Sequence, residues 1–177
     1  DVMGYACLVA IMSMGRGYHC VSEVNLHQET VANDFPTPIV TSAGALINGL
    51  KVLGAKQISI ITPYMRPLTD KVVDYIEHQG IKVKESIALE ISDNLEVAAQ
   101  NPMNLLEIYK QLDLKDVDVL VASACVQMPS LEAIDLIQAE CGIPVTSAAV
   151  CTTYEMMKKL GIEAKSAIGG ELLSGKY

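Results

Sequence analysis

No lysine- or arginine-rich stretch occurs anywhere in this sequence, and 21 acidic residues outweigh 13 basic ones for a net charge of −8. Without a basic patch, the chain lacks the electrostatic footing that nucleic acid or an anionic membrane surface requires. Long apolar runs are missing too: none reaches the roughly 18 residues that cross a bilayer. The opening residues do not show the basic-then-apolar pattern of a secretory leader. Five cysteines, Cys7, Cys20, Cys125, Cys141 and Cys151, form no CxxC pair, and His19, His27 and His78 share no metal-like spacing. That excludes the common zinc and thioredoxin-like signatures. Phosphate-binding fingerprints of the GxGxxG or GK[ST] type are also absent. Gly15-Arg16-Gly17-Tyr18-His19 reads instead as a flexible loop, a candidate lid over a cleft. An odd cysteine count with no pairing pattern reads as free thiols in a reducing compartment, the cytoplasm.

What is present is an apolar chain, half of it hydrophobic, with enough core for one large domain or two small lobes. Residues 57–62 (QISIIT), 81–85 (IKVKE) and 117–123 (VDVLVAS) read as strands. Helical spacing is found near 43–53, 67–79, 103–113, 130–140 and 149–160. Asn101 followed by Pro102 predicts a helix start, and Gly54 and Gly142 predict helix ends. Alternating strands and helices of this length predict an α/β fold with parallel sheets covered by helices. Such folds place function at the carboxyl ends of their strands. The strand-like opening DVMGYACLVA has no element before it, as expected of a fragment or a processed chain.

A faint internal repeat sharpens this. ACLVA is followed downstream by PIVTSAGALINGLKVLG, and ACVQM by PVTSAAVCTTYEMMKKLG. Each half gives a strand, Ala-Cys, an intervening segment, then Thr-Ser-Ala and a helix ending in Leu-Gly. The repeat predicts two duplicated lobes, each presenting one thiol. A cysteine between a strand and a helix faces the crevice above a sheet, where amides favour a thiolate and bind an anion. Two facing thiols suit chemistry on both faces of a small planar molecule, one sulfur as nucleophile or base and the other as acid. The blander reading, that Cys7 and Cys125 are packed as small hydrophobes, stays open at this level. Cys20, Cys141 and Cys151 are expected to pack.

The segments YACLVA, ITPY and SACVQMPSL resemble the maleate cis–trans isomerase family of the aspartate/glutamate racemase superfamily, to which arylmalonate decarboxylase also belongs. The resemblance covers essentially the whole chain from Cys7 onward. It implies a racemase-like pair of pseudo-symmetric α/β lobes, residues 1–53 completed by 146–177 and residues 54–145, the first missing an N-terminal strand and helix, and an asparagine after that strand with no counterpart here. It implies Cys7 as nucleophile, Cys125 as acid/base, and Tyr64 and Asn94 as groups that bond a substrate carboxylate. Related amino-acid racemases carry polar residues after each cysteine to hold an ammonium group. Leu8, Val9 and Val126 stand there in this chain, and burying an ammonium against them unpaired costs several kcal/mol. Their backbone amides still suit a carboxylate. Arylmalonate decarboxylase lacks the first cysteine, so the presence of Cys7 favours an isomerase.

The resemblance therefore implies a cofactor-independent, metal-free isomerisation of maleate to fumarate. It further implies a cytoplasmic homodimer acting on a small dicarboxylate, as in nicotinate degradation. The alternatives are a racemase or decarboxylase on the same scaffold, or a non-catalytic thiol sensor or small-anion binder. Weaker candidates are Thr41 and Ser42, better read as helix caps, and Arg66, better read as a solvated side chain.

Overall fold

The computed structural model describes all 177 residues. Its centre is strand β5 (Val119–Ser123), buried at every position, lying beside β3 (Gln57–Thr62), buried at all but its first. Their buried positions hold Val, Ile and Leu with only small Ala, Ser and Thr between them, which suits a strand covered on both faces. With β4 (Lys82–Ala88) and β6 (Val145–Ser147) they form a parallel sheet in the order β4-β3-β5-β6. From β3 the chain runs through α4 (Arg66–His78) to one edge, then returns to pair β5 on the other side. That reversal is a topological switch point, where the carboxyl ends of neighbouring strands part and leave a crevice. Tyr64 follows β3 at this point, and Cys125 follows β5.

A second, two-stranded parallel sheet pairs β1 (Met3–Tyr5) with β2 (Ile39–Thr41), Tyr5 lying opposite Thr41. It repeats the β5–β6 pairing, in which Ser123 lies opposite Ser147. After β2 comes α3 (Ser42–Val52), whose N-cap Thr41 accepts from Gly44 N. After β6 comes α8 (Ala148–Lys159), whose N-cap Ser147 accepts from Val150 N. The repeated Thr-Ser-Ala thus starts both helices, with the capping hydroxyl shifted by one residue. Each helix ends in Leu followed by a left-handed glycine, Gly54 at φ 73° and Gly161 at φ 68°. The line expected to divide the lobes falls within β6, all of whose residues pair with β5.

The two halves meet where α3 packs on α8. Gly49 makes that approach close: a Cβ there would lie 2.6 Å from Cys151 Sγ and 3.1 Å from Leu172 Cδ2. Both neighbours are fully buried, so neither has room to yield. Gly49→Ala is therefore expected to cost about 1–3 kcal/mol despite its better helix propensity. Urea unfolding checks it, through a lower midpoint at an unchanged slope.

Several elements differ from expectation. The candidate lid is only partly a loop: residues 15–17 form a turn ending in Gly17, which at φ 72° caps α2 (Tyr18–Ala32), and His19 is buried within the helix. His19 N donates to Tyr75 Oη at 3.0 Å, and Arg16 Nε reaches Asp74 Oδ2 at 3.0 Å. Burial holds the His19 imidazole below its usual pKa, so it stays neutral. The expected helix at 103–113 is a short α6 (Leu105–Ile108) between two 3₁₀ turns, 102–104 and 109–111. Asn101 Oδ1 still caps its start, accepting from Met103 N at 3.0 Å. Cys20 does not pack; it is exposed, whereas Cys151 is fully buried and its thiol pushed up to about 12.

Candidate active site

Cys7 is the N-cap of α1 (Leu8–Met12), with extended backbone at φ −130°, ψ 90°. The helix starts at the very next residue, with no loop between. The first-turn amides at Leu8 and Val9 therefore have no acceptor inside the helix and point toward the thiol's side of the turn. The Cys7 side chain makes no capping bond and is exposed, so its sulfur is available.

Cys125 lies two residues beyond β5 in a turn that side chains hold open. Ser123 Oγ, fully buried, donates to Cys125 O at 2.9 Å and accepts from Cys125 N at 3.3 Å. One hydroxyl thus fixes both backbone groups of the cysteine. Tyr64 Oη adds a third tie, donating to the Ala124 carbonyl at 3.1 Å. Burial, then the nearby Cys125 and Cys7 sulfurs, push the Tyr64 phenol well above its ordinary pKa. It therefore keeps its proton through the alkaline range. That proton points at Ala124 here, and meeting a ligand carboxylate takes a rotation about the C–O bond.

Asn94 opens α5 (Asn94–Ala98), and the Asp93 carboxylate caps this helix by accepting from Leu95 N and Glu96 N. The Asn94 carboxamide bonds no other protein group, while its backbone carbonyl accepts from Gln127 Nε2 at 2.7 Å.

These residues share one cleft of about 140 Å³. Cys7, Leu8, Val9, Tyr64, Asn94, Cys125 and Val126, far apart along the chain, all line it. Ligand pockets for drug-sized molecules run to about 300–1,000 Å³, so this one takes only a small molecule. Sequence reasoning missed Ala6, Ile91, Val97 and Gln127 in its wall. Gln127 stood within the quoted ACVQM, but nothing in its neighbours marked it. Not one lining residue is charged. An anion bound here must be met by backbone N–H, hydroxyl and amide donors. A larger groove, about 470 Å³, begins at Val126 and runs toward Ser147 and Lys165, but no cysteine or tyrosine lines it.

The weaker candidates lie elsewhere in the network. Thr41 caps α3 and donates from Oγ1 to Glu23 Oε1 at 2.7 Å, and Ser42 Oγ donates to Tyr5 O at 3.3 Å. The Arg66 guanidinium is held by Ser86, donating to its Oγ at 3.0 Å and its carbonyl at 3.3 Å.

Known proteins share this arrangement of the chain. A family model described as arylmalonate decarboxylase matches residues 5–173. Across 177 residues the chain is 54% identical to a maleate isomerase of Geobacillus stearothermophilus, covering 100% of this chain and 70% of that protein. A solved structure of the maleate isomerase Iso from Pseudomonas putida S16, a cysteine-to-alanine variant with maleate, superposes with a TM-score of 0.99 at 58% identity, covering 100% of this chain and 71% of that one. The Nocardia farcinica maleate cis–trans isomerase, solved as a cysteine-to-serine mutant with a covalently bound succinylcysteine intermediate, superposes at 0.95 with 38% identity, covering 100% and 72%.

Proposed function

Because the chain belongs to the arylmalonate decarboxylase family and, within it, to the maleate isomerases, we propose that it converts maleate to fumarate by reversible addition of Cys7 to the double bond. The enzyme is a cis–trans isomerase, and the observation that carries the mechanism is the pair of thiols, one from each repeat, in a single uncharged cleft.

The Cys7 thiolate attacks one alkene carbon and forms a C–S bond. The π electrons move to the adjacent carbon and its carboxylate, giving an enediolate. Cys125 delivers its proton to that carbon, leaving a succinyl group on Cys7 and a thiolate on Cys125. The former double bond is now single and turns. Cys125 then takes a proton back, the C=C bond re-forms and the Cys7 thiolate departs with the electrons of the C–S bond. Atoms and charge balance, and no metal or redox cofactor enters, because sulfur addition alone frees the rotation. The bound succinylcysteine in the Nocardia relative supports this order of events.

Charge develops on the enediolate, so aimed donors set the rate; each is worth about 10²–10³-fold. The Leu8, Val9 and Val126 amides, Asn94 and Tyr64 are assigned that part. Leu8, Val9, Val126, Ile91 and Val97 supply apolar walls that strengthen each such bond. The reading extends to a cytoplasmic homodimer acting on a small dicarboxylate. Following maleate by its ultraviolet absorbance, with fumarate identified by proton NMR, tests the activity on the full chain. Loss of maleate matched by fumarate is expected; a protein that leaves maleate untouched while decarboxylating arylmalonates or racemising amino acids overturns it.

A further inference from the structure

Residues 92–100 form a flap that contributes Asn94 and Val97 to the cleft wall. The flap's root is firm: Leu89 N, Glu90 N and Ile91 N donate to the carbonyls of Thr62, Tyr64 and Pro63 at 2.9–3.2 Å. Glu90 at φ 54° bends the chain there, a left-handed turn that sends the flap back over the strand ends. Beyond Ile91 the hydrogen bonds of the flap are internal, within α5 and its cap, with a single exception. Gln127 Nε2 donates to Asn94 O at 2.7 Å. Apart from that bond, the flap is seated by the side chain of Val97, 4% exposed, while Leu95 stands 78% exposed.

We infer that Gln127 is a positioning residue, whose amide latches the flap closed and thereby holds the Asn94 carboxamide over the cleft. Gln127 lies two positions after Cys125 in the turn that Ser123 and Tyr64 fix, so the latch ties Asn94 to the rigid side of the site. The bond goes to the Asn94 backbone and leaves the carboxamide free, so that Asn94 Nδ2 can donate to a ligand carboxylate. An alanine at position 127 keeps every other contact of the flap and removes this one. Asn94's part in binding rests on the isomerase reading; the latch itself does not.

The test therefore has two arms. Without substrate, hydrogen exchange of the amides of residues 95–100 is compared in wild type, Gln127→Ala and Gln127→Glu, the last keeping the size but losing the donor. Exchange is expected to rise about 3- to 10-fold in both variants, the size of effect that one exposed hydrogen bond controls. Unchanged exchange overturns the latch. With maleate, Gln127→Ala is expected to lower kcat/KM about 10-fold, chiefly through kcat, because Asn94 is one of the donors that meet the charge developing on the enediolate. In an Asn94→Ala background the same substitution is expected to change kcat/KM less than about twofold. An undiminished effect there means that Gln127 touches the substrate itself, and the positioning role falls. If wild type does not turn maleate over but exchange still rises, the isomerase reading fails and the latch stands.

Discussion

Cys7→Ala is expected to lower maleate turnover by roughly 10⁴-fold or more, the scale seen when a covalent nucleophile is deleted. The substitution is informative because it should be almost silent in the fold. The thiol makes no hydrogen bond at the head of α1 and is exposed, so its removal neither uncaps the helix nor opens a cavity. Stability should stay within about 0.5 kcal/mol of the parent, as for surface changes generally. Maleate should still bind, since the Leu8 and Val9 amides, Tyr64 and Asn94 remain. Intact-mass spectrometry should then show no adduct at any time. Turnover within tenfold of wild type would remove Cys7 from the mechanism and leave the cleft a binding site.

How much of the structure the residues reveal depends on how local each signal is. β3 and β5 announce themselves because a strand buried on both faces is a short run rich in Ile, Val and Leu, as in QISIIT and VLVAS. The duplication is legible because both copies keep the cap and the glycine that physically start and stop the helix. α2 is not, since its valines at 21, 24 and 31 are all exposed and no apolar stripe turns with the helix. α1 hides for another reason: LVAIM is as good a strand as a helix at five residues, and only its burial against neighbouring elements decides. The thiols, Tyr64 and Asn94 can be named from family likeness, but Tyr64 and Cys125 meet because the 4-3-5-6 strand order sets β3 beside β5, and Cys7 joins them from the separate β1–β2 sheet. Ile91 and Val97 reach the cleft only because the long connection after β4 folds back over the switch point. No spacing in the sequence encodes that return.

Cys125→Ser should separate the two halves of the reaction. The turn that presents residue 125 is held by the Ser123 hydroxyl and the Tyr64–Ala124 bond, none of which uses the sulfur. A serine hydroxyl, nearly the same shape, should therefore sit where the thiol sat. What changes is acidity. An alcohol surrenders its proton far less readily than a thiol, and its conjugate base is not formed near neutral pH. Loss of a positioned acid/base typically costs about 10²–10⁴-fold, and turnover should fall by that much. The two proton transfers are not hit equally. The enediolate is basic enough to draw a proton from water, so addition by Cys7 can still finish. Removing a proton from the succinyl carbon, by contrast, needs a base that serine does not supply. The succinyl group should thus accumulate on Cys7, seen as a mass gain of one diacid and lost in the Cys7→Ala/Cys125→Ser double variant. A Cys125→Ser protein that turns over at the parental rate, with no adduct, would mean that rotation occurs in the unprotonated enediolate and that Cys125 only lines the cleft.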